Sequence, residues 1–229
     1  MYKEYEMKNE ILDYLAEAEG LTVHKNKGEE DITSPYGIYK HIHPDAKIFE
    51  YIDSLLLELS IQKNTKKLEK KELEKLNNKI KTTKFIQDNI RDLAWNFYED
   101  YFSNLYLSLF PKEAVISFLS MYTTSSEAGI MSTQKAINDV ISNGFISSEG
   151  LKSKYLSEDG IFGNESRKGL AKINQLYKDG GIFVGYWFEE KMIKHMILYY
   201  DELAIEKPEK FKKFYKGWRN RMEKLSDTA

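Results

Sequence analysis

The sequence predicts a mostly α protein, because its apolar residues recur at helical spacing and its prolines fall where those stripes begin or end. Met7, Ile11, Leu12, Leu15 and Ala18 form a first stripe. Val184, Trp187, Phe188, Met192, Met196, Tyr199, Tyr200 and Leu203 form a second, longer one. All four prolines, Pro35, Pro44, Pro111 and Pro208, sit at stripe edges, as expected of a residue that breaks helix interiors but suits first turns. The chain has 229 residues, 41% hydrophobic and 14% aromatic, enough to bury a core as one large domain or two lobes.

Charge and composition narrow the function. A formal net charge of -2, from 34 basic and 36 acidic residues, argues against a general polyphosphate-binding field, so nucleic acid is not an expected partner. The chain has no cysteine, which excludes disulfides, thiolate catalysis and cysteine metal sites, and fits folding in a reducing cytoplasm. Glu4, Glu6, Glu10 and Asp13 interrupt the N-terminal stretch where a signal peptide needs an apolar run, and no stretch reaches membrane-spanning length. Synthesis in the cytoplasm is expected, so any target outside the cell requires separate delivery.

Taken in order, the first stripe runs into Glu17, Glu19 and Gly20, which puts glycine where a left-handed helix cap is needed and Glu19 on the last turn. The C-terminal end of the helix dipole and the neighbouring Glu17 both disfavour negative charge at Glu19, a setting that suits a general acid. Glu29, Glu30 and Asp31 follow one loop later, and the Ser-Pro-Tyr-Gly turn at 34–37 can reverse the chain toward Glu19. Glycosidic cleavage needs an acid for the leaving oxygen and usually a second carboxylate across the cleft. Asp31 is the preferred partner, Glu30 the alternative and Thr33 a water-orienting helper. An exposed carboxylate beside a capping glycine is, by composition alone, most often inert surface.

Residues 58 to 84 are charged, with Leu68, Leu73, Leu76 and Ile80 supplying a thin apolar seam, and read as a protruding helical hairpin or long helix in a solvated insertion. Tyr98 and Tyr101 lie further along, and with Tyr36 they are candidate sugar contacts, although helical tyrosines usually pack at domain edges. The loop-rich stretch 142–166 separates a helix ending near Ile141 from another starting after Asn164 and marks a lobe boundary. Within it, Asp159 reads as structural, in a turn leading to a helix cap. His24, His41 and His43 lack the acidic supporting groups of a metal site, so no metal or organic cofactor is expected. From Lys207 to Arg221, seven basic residues and the acidic Glu209 interleave with Phe211, Phe214, Tyr215 and Trp218. The aromatics read as core anchors and the lysines as a patch for an anionic wall or membrane.

Several of these segments resemble the glycosyl hydrolase 108 family of muramidases. Glu19-Gly20-Leu21-Thr22 followed by Thr33, Tyr36, Gly37 and Ile38 is similar to that family's helix ending in Glu-Gly-Gly-Tyr and its Thr-x-Tyr-Gly-Ile loop. Tyr98-Glu99-Asp100-Tyr101-Phe102 resembles its Tyr-x-x-Tyr-Trp helix. Gln134-Lys135-Ala136-Ile137, Asp159-Gly160-Ile161-Phe162-Gly163 and Gly217-Trp218-Arg219-Asn220-Arg221 resemble, in order, three elements of an associated peptidoglycan-binding domain. Departures occur at Leu21 and Thr22, at Lys27 to Asp31 and at Ser126 to Gly129.

The resemblance implies a lysozyme-like helical domain over 1–125 with its charged insertion, and a peptidoglycan-binding-like helical domain over 126–229 packed closely on it. It further implies peptidoglycan hydrolysis after N-acetylmuramic acid with Glu19 as the catalytic residue, and substrate contacts from Tyr36, Gly37, Tyr98 and Tyr101. Glycan strands are the expected partner, with a holin or secretion machinery for export. Inverting, retaining and transglycosylase outcomes stay open, as does a non-catalytic wall-binding or phage assembly module.

Overall fold

The computed structural model describes residues 2–25, 31–61 and 64–226, with side chains from residue 7 onward. It is mostly helical. Two compact units divide the chain, Met1–Asn104 and Leu105–Ala229.

The first unit contains α1 (Tyr2–Glu19), α2 (Lys47–Glu58), α3 (Lys70–Thr82) and α4 (Lys84–Phe102). Helix α1 buries Ile11, Leu12 and Leu15. Helix α2 buries Ile48, Phe49, Ile52, Leu55 and Leu56, and α4 buries Ile86, Ile90, Ala94, Tyr98 and Phe102, the latter at four-residue steps along one stripe. The long connection between α1 and α2 makes isolated antiparallel bridges between His24 and Thr33 and between Thr33 and Tyr39.

The reading of 58–84 as a protruding, solvated insertion is corrected by α3. Its Leu76 is fully buried, Ile80 and the preceding Leu68 are buried too, and the helix packs on α4. A capping box between Glu69 and Glu72 starts it. Lys79 pairs with Glu58, and Lys75 Nζ donates to the Leu59 carbonyl at 3.0 Å, tying α3 to the end of α2. The charged residues cover one face of an integral helix.

The second unit contains α5 (Lys112–Thr124), α6 (Ser126–Ser142), α7 (Asn164–Lys178), α8 (Ile182–Glu206) and α9 (Pro208–Ser226). Helix α8 is central, packing against α5, α6, α7 and α9 through a stripe of Val184, Phe188, Met192, Met196 and Tyr200. Helix α5 buries Ala114, Phe118 and Met121 and packs on α6 and α8, so the division falls before α5 and not at 125/126. Where α5 meets α6, a Cβ on Gly129 would lie 2.9 Å from the Tyr122 amide nitrogen, so only glycine admits that approach.

The stretch 142–166 is likewise no lobe boundary, since it lies inside the second unit and is fastened to α6. Asn138 receives the Leu156 amide at 2.7 Å and donates to its carbonyl at 3.1 Å. Gln134 performs the same service at the Asp159 turn. Among the described residues no helix is long and apolar enough to cross a membrane.

Candidate active site around Glu19

Helix α1 stops at Glu19 because Gly20 takes φ +87°, with its amide still bonded to the Ala16 carbonyl at 3.0 Å. The Gly20 carbonyl in turn accepts the Tyr36 amide at 2.9 Å, which returns the distant turn to the end of α1. Within that turn the Gly37 amide donates to the Ser34 carbonyl at 3.1 Å, and the Ser34 amide to the Ile38 carbonyl at 2.9 Å. Tyr36 and Gly37 both have positive φ, 66° and 80°. The conformation at Tyr36 costs a side-chain-bearing residue on the order of 1–2 kcal/mol.

Three contacts hold Tyr36 there. Its amide is bound by Gly20, its carbonyl accepts the Tyr98 hydroxyl at 2.6 Å, and its phenol lies within electrostatic reach of the Arg91 guanidinium. Arg91, on α4, also reaches Asp13 on α1 at 2.9 Å and the Asn9 side chain at 3.2 Å. The turn, α1 and α4 are thereby locked together. Burial pushes the Tyr36 phenol above its ordinary range, with Arg91 opposing the shift. Tyr98 is pushed further up, first by burial and then by the negative charge of Glu19.

The effect is that Glu19, half-buried on a rigid helix end, meets the backbone of a reversed loop. A Cβ on Gly37 would lie 2.7 Å from Glu19 Cγ, so a glycine at that point lets the carboxylate-bearing side chain pass directly against the turn. A carboxyl group so held can exchange a proton with a ligand atom bound beside the turn.

The other expected site residues divide. Asp31 is 6% exposed and its Oδ1 accepts the Ile32 amide at 2.8 Å. Thr33 is 1% exposed, and its backbone exchanges hydrogen bonds with His24 at 2.8 and 3.0 Å. Glu30, with Glu29, lies outside the described residues. Tyr36 and Tyr98 are 4% and 5% exposed, so the expectation that their rings stack on a sugar is corrected: their surfaces are spent on the core and on holding the turn. Tyr101 keeps an exposed ring, stacked on Phe97 at 5.9 Å.

The histidines have separate neighbours. His24 lies in the bridge with Thr33, His41 meets the edge of Tyr39, and His43 packs edgewise on Phe97 at 4.9 Å. Burial and the nearby His41 lower the His43 pKa. Among the described residues no group of three or more His, Asp or Glu is placed to hold a metal.

Two residues that position this site escaped the sequence reading. Asn77 of α3 accepts the Val23 amide and donates to the Val23 carbonyl, both at 2.8 Å, mimicking a neighbouring strand for the loop that leaves Glu19. Arg91 is the second. Neither stood out, because a lone Asn or Arg on a polar helix face looks solvated until its tertiary partner is known.

In the second unit, buried Gln134 donates from Nε2 to Asp159 Oδ1 at 2.9 Å, the Ile161 carbonyl at 3.0 Å and Ser166 Oγ at 3.2 Å. Its Oε1 accepts the Gly160 amide at 3.0 Å. Asp159 also accepts the Ile161 amide at 2.9 Å, a turn-building role. No protein-family model, curated protein or solved structure matches this chain.

Proposed function

We propose that this chain is a peptidoglycan hydrolase of the N-acetylmuramidase type, with a lysozyme-like first unit in which Glu19 is the general acid. The observation that carries the reading is the contact of the Glu19 side chain with Gly37, in a turn tied back to the end of α1 by the bond from the Tyr36 amide to the Gly20 carbonyl. It supports the reading because an acid catalyst needs rigid placement beside a surface on which a substrate is oriented. The ordered motifs in both units add the glycan strand as substrate.

In this mechanism Glu19 gives its proton to the glycosidic oxygen after N-acetylmuramic acid as the bond to the anomeric carbon breaks. Asp31, or Glu30, activates the attacking water or stabilises the oxocarbenium charge, and Tyr101 offers an exposed ring for a sugar face. A holin or secretion machinery brings the enzyme to the wall.

One observation favours a second reading, lytic transglycosylation by a single acid: Asp31 is buried with Oδ1 engaged by the Ile32 amide. Digestion of purified peptidoglycan tests both. Reducing-end muramic acid is expected from the wild type, an anhydro product moves the assignment to transglycosylation, and no product from the folded wild type makes the chain a binding module. Glu19→Gln is expected to remain folded and lose turnover; near-full activity in that variant overturns the assignment. Asp31→Asn separates the hydrolytic roles, since an unchanged rate there with loss in Glu30→Gln moves the partner to Glu30.

A further inference from the structure

We infer that the outer face of α9 is a docking surface for a linear polyol-phosphate polymer of the cell wall. Helix α9 carries seven basic and two acidic residues in a chain whose formal net charge is -2, so the positive charge is concentrated locally. Its inner face is used within the unit. Trp218 stacks on Tyr200 at 5.0 Å, and Met222 and Leu225 are buried.

Both arginines are engaged with the rest of the unit. Arg219 reaches Glu223 at 2.8 Å and the Tyr215 hydroxyl at 2.7 Å, and Arg221 donates to Thr124 at 3.3 Å. Lys210, Lys212, Lys213 and Lys216 remain exposed on the opposite side, and Lys224 continues the face. Among the described residues none of Lys210, Lys212, Lys213 and Lys216 forms an ion pair. At about 1.5 Å rise per residue, Lys210 to Lys216 spans roughly 9 Å, a row of point charges rather than a pocket.

The chemistry of the row selects its partner. A bilayer surface calls for an apolar face beside the lysines, but among the described residues of α9 Phe214 is the single exposed large apolar side chain, 47% exposed, stacked on Trp218 at 5.6 Å and with Lys213 over its ring at 4.7 Å; Lys210 lies over Phe211 at 4.9 Å. A single-stranded nucleic acid calls for a succession of open aromatic faces between the cations, and among the described residues α9 exposes one aromatic, Phe214. An unbranched phosphodiester chain without bases or acyl tails needs only a local run of ammonium groups. The choice of a wall polymer rests on the proposed action on peptidoglycan, whose surrounding wall would present it.

The test uses the full chain and a soluble glycerol-phosphate wall polymer released from its peptidoglycan, with binding read by calorimetry, so no turnover is needed. The polymer is expected to bind, and to bind roughly 50-fold more weakly when salt rises from about 50 to about 200 mM, the dependence for about four phosphate contacts on a flexible strand. K210E/K213E/K216E should weaken it at least about tenfold, and the matching Lys→Gln triple variant by less, while both keep wild-type turnover of polymer-free peptidoglycan. Unchanged polymer binding in the glutamate variant overturns the inference. So does tighter binding of duplex DNA, or of phosphatidylglycerol vesicles, than of the polymer at equal phosphate. If Glu19→Gln keeps its turnover while the lysine variants lose the polymer, the catalytic reading fails and the docking surface stands.

Discussion

Glu19 and Gly37 are in direct contact across the end of α1: a Cβ on Gly37 would fall 2.7 Å from Glu19 Cγ and 2.8 Å from Glu19 Cβ. Gly37→Ala is therefore expected to do two things. It places a side chain at φ +80°, costing about 1–2 kcal/mol of stability, and it pushes the Glu19 side chain away from the turn. A displacement on the order of 1 Å lowers the rate roughly 10²-fold. Gly20→Ala is the control, because Gly20 has φ +87° with nothing within 4 Å of its Cβ position. Urea unfolding should show similar stability losses for the two variants, with peptidoglycan turnover falling far more in Gly37→Ala. Equal losses of turnover would mean that contact with Glu19 is not what matters.

The hydroxyl of Tyr98 holds the carbonyl of a residue in the left-handed region, so Tyr98→Phe should loosen the turn without opening a cavity. Leaving the Tyr36 carbonyl unpaired in a buried setting costs about 1–3 kcal/mol, measurable as a lower urea midpoint. The pH dependence has a definite sign. The folded phenol pKa lies above the ordinary value of 10.0, so the unfolded chain ionises first and stability is lost as pH rises above that value. Wild-type stability should fall there, and Tyr98→Phe should fall less steeply.

Helices were legible in this sequence wherever burial repeats along one face, as in Ile11, Leu12 and Leu15 of α1 or Val184, Phe188 and Met192 of α8. The glycine cap that places Glu19 was legible as well, because it is a local backbone requirement. What stayed hidden is tertiary. Leu76 and Ile80 are too few to mark α3 as a core helix among so many lysines and glutamates, and the pairing of Asn77 with Val23 spans 54 residues. The glycine- and serine-rich stretch after α6 has the composition of a linker, yet Gln134 and Asn138 bind it through side-chain amides that leave no periodic trace. Whether Tyr36 and Tyr98 face a ligand or the core is equally invisible, since tyrosine suits both.

Gln134 connects α6 to three parts of the following loop and helix, so its loss should be felt well beyond its own position. Gln134→Ala leaves the Gly160 amide and the Ile161 carbonyl without that partner and is expected to cost about 2–3 kcal/mol. Hydrogen exchange at the Gly160 amide should accelerate in the same variant. Gln134 is also the main reason the Asp159 carboxyl is held below its ordinary value of 3.8, with the Ile161 amide second. A lowered carboxyl contributes stability above the unfolded value and loses it as pH falls through the folded one. The wild type should therefore lose this contribution below about pH 4, and Gln134→Ala should show a flatter acid limb.

Glu189 has the opposite sign. It is 5% exposed on α8, where the Ser117 hydroxyl of α5 donates to its Oε1 and Glu113 of α5 adds a like charge. Burial is the main cause of its raised pKa, the Ser117 bond opposes the shift, and Glu113 reinforces it. Glu113 is itself bound through Oε1 by the Tyr177 hydroxyl of α7 at 2.8 Å, which keeps that carboxylate near α8. In the unfolded chain Glu189 ionises near 4.5, whereas the folded carboxyl keeps its proton to higher pH. Its contribution is full below the unfolded value and is lost as pH rises through the folded one. Glutamine imitates the protonated acid and still accepts the Ser117 hydroxyl. Glu189→Gln should therefore raise the thermal midpoint at about pH 8 and bring a smaller gain at about pH 4. A gain of the same size at both pH values would show that charge on Glu189 is not what the second unit has to accommodate.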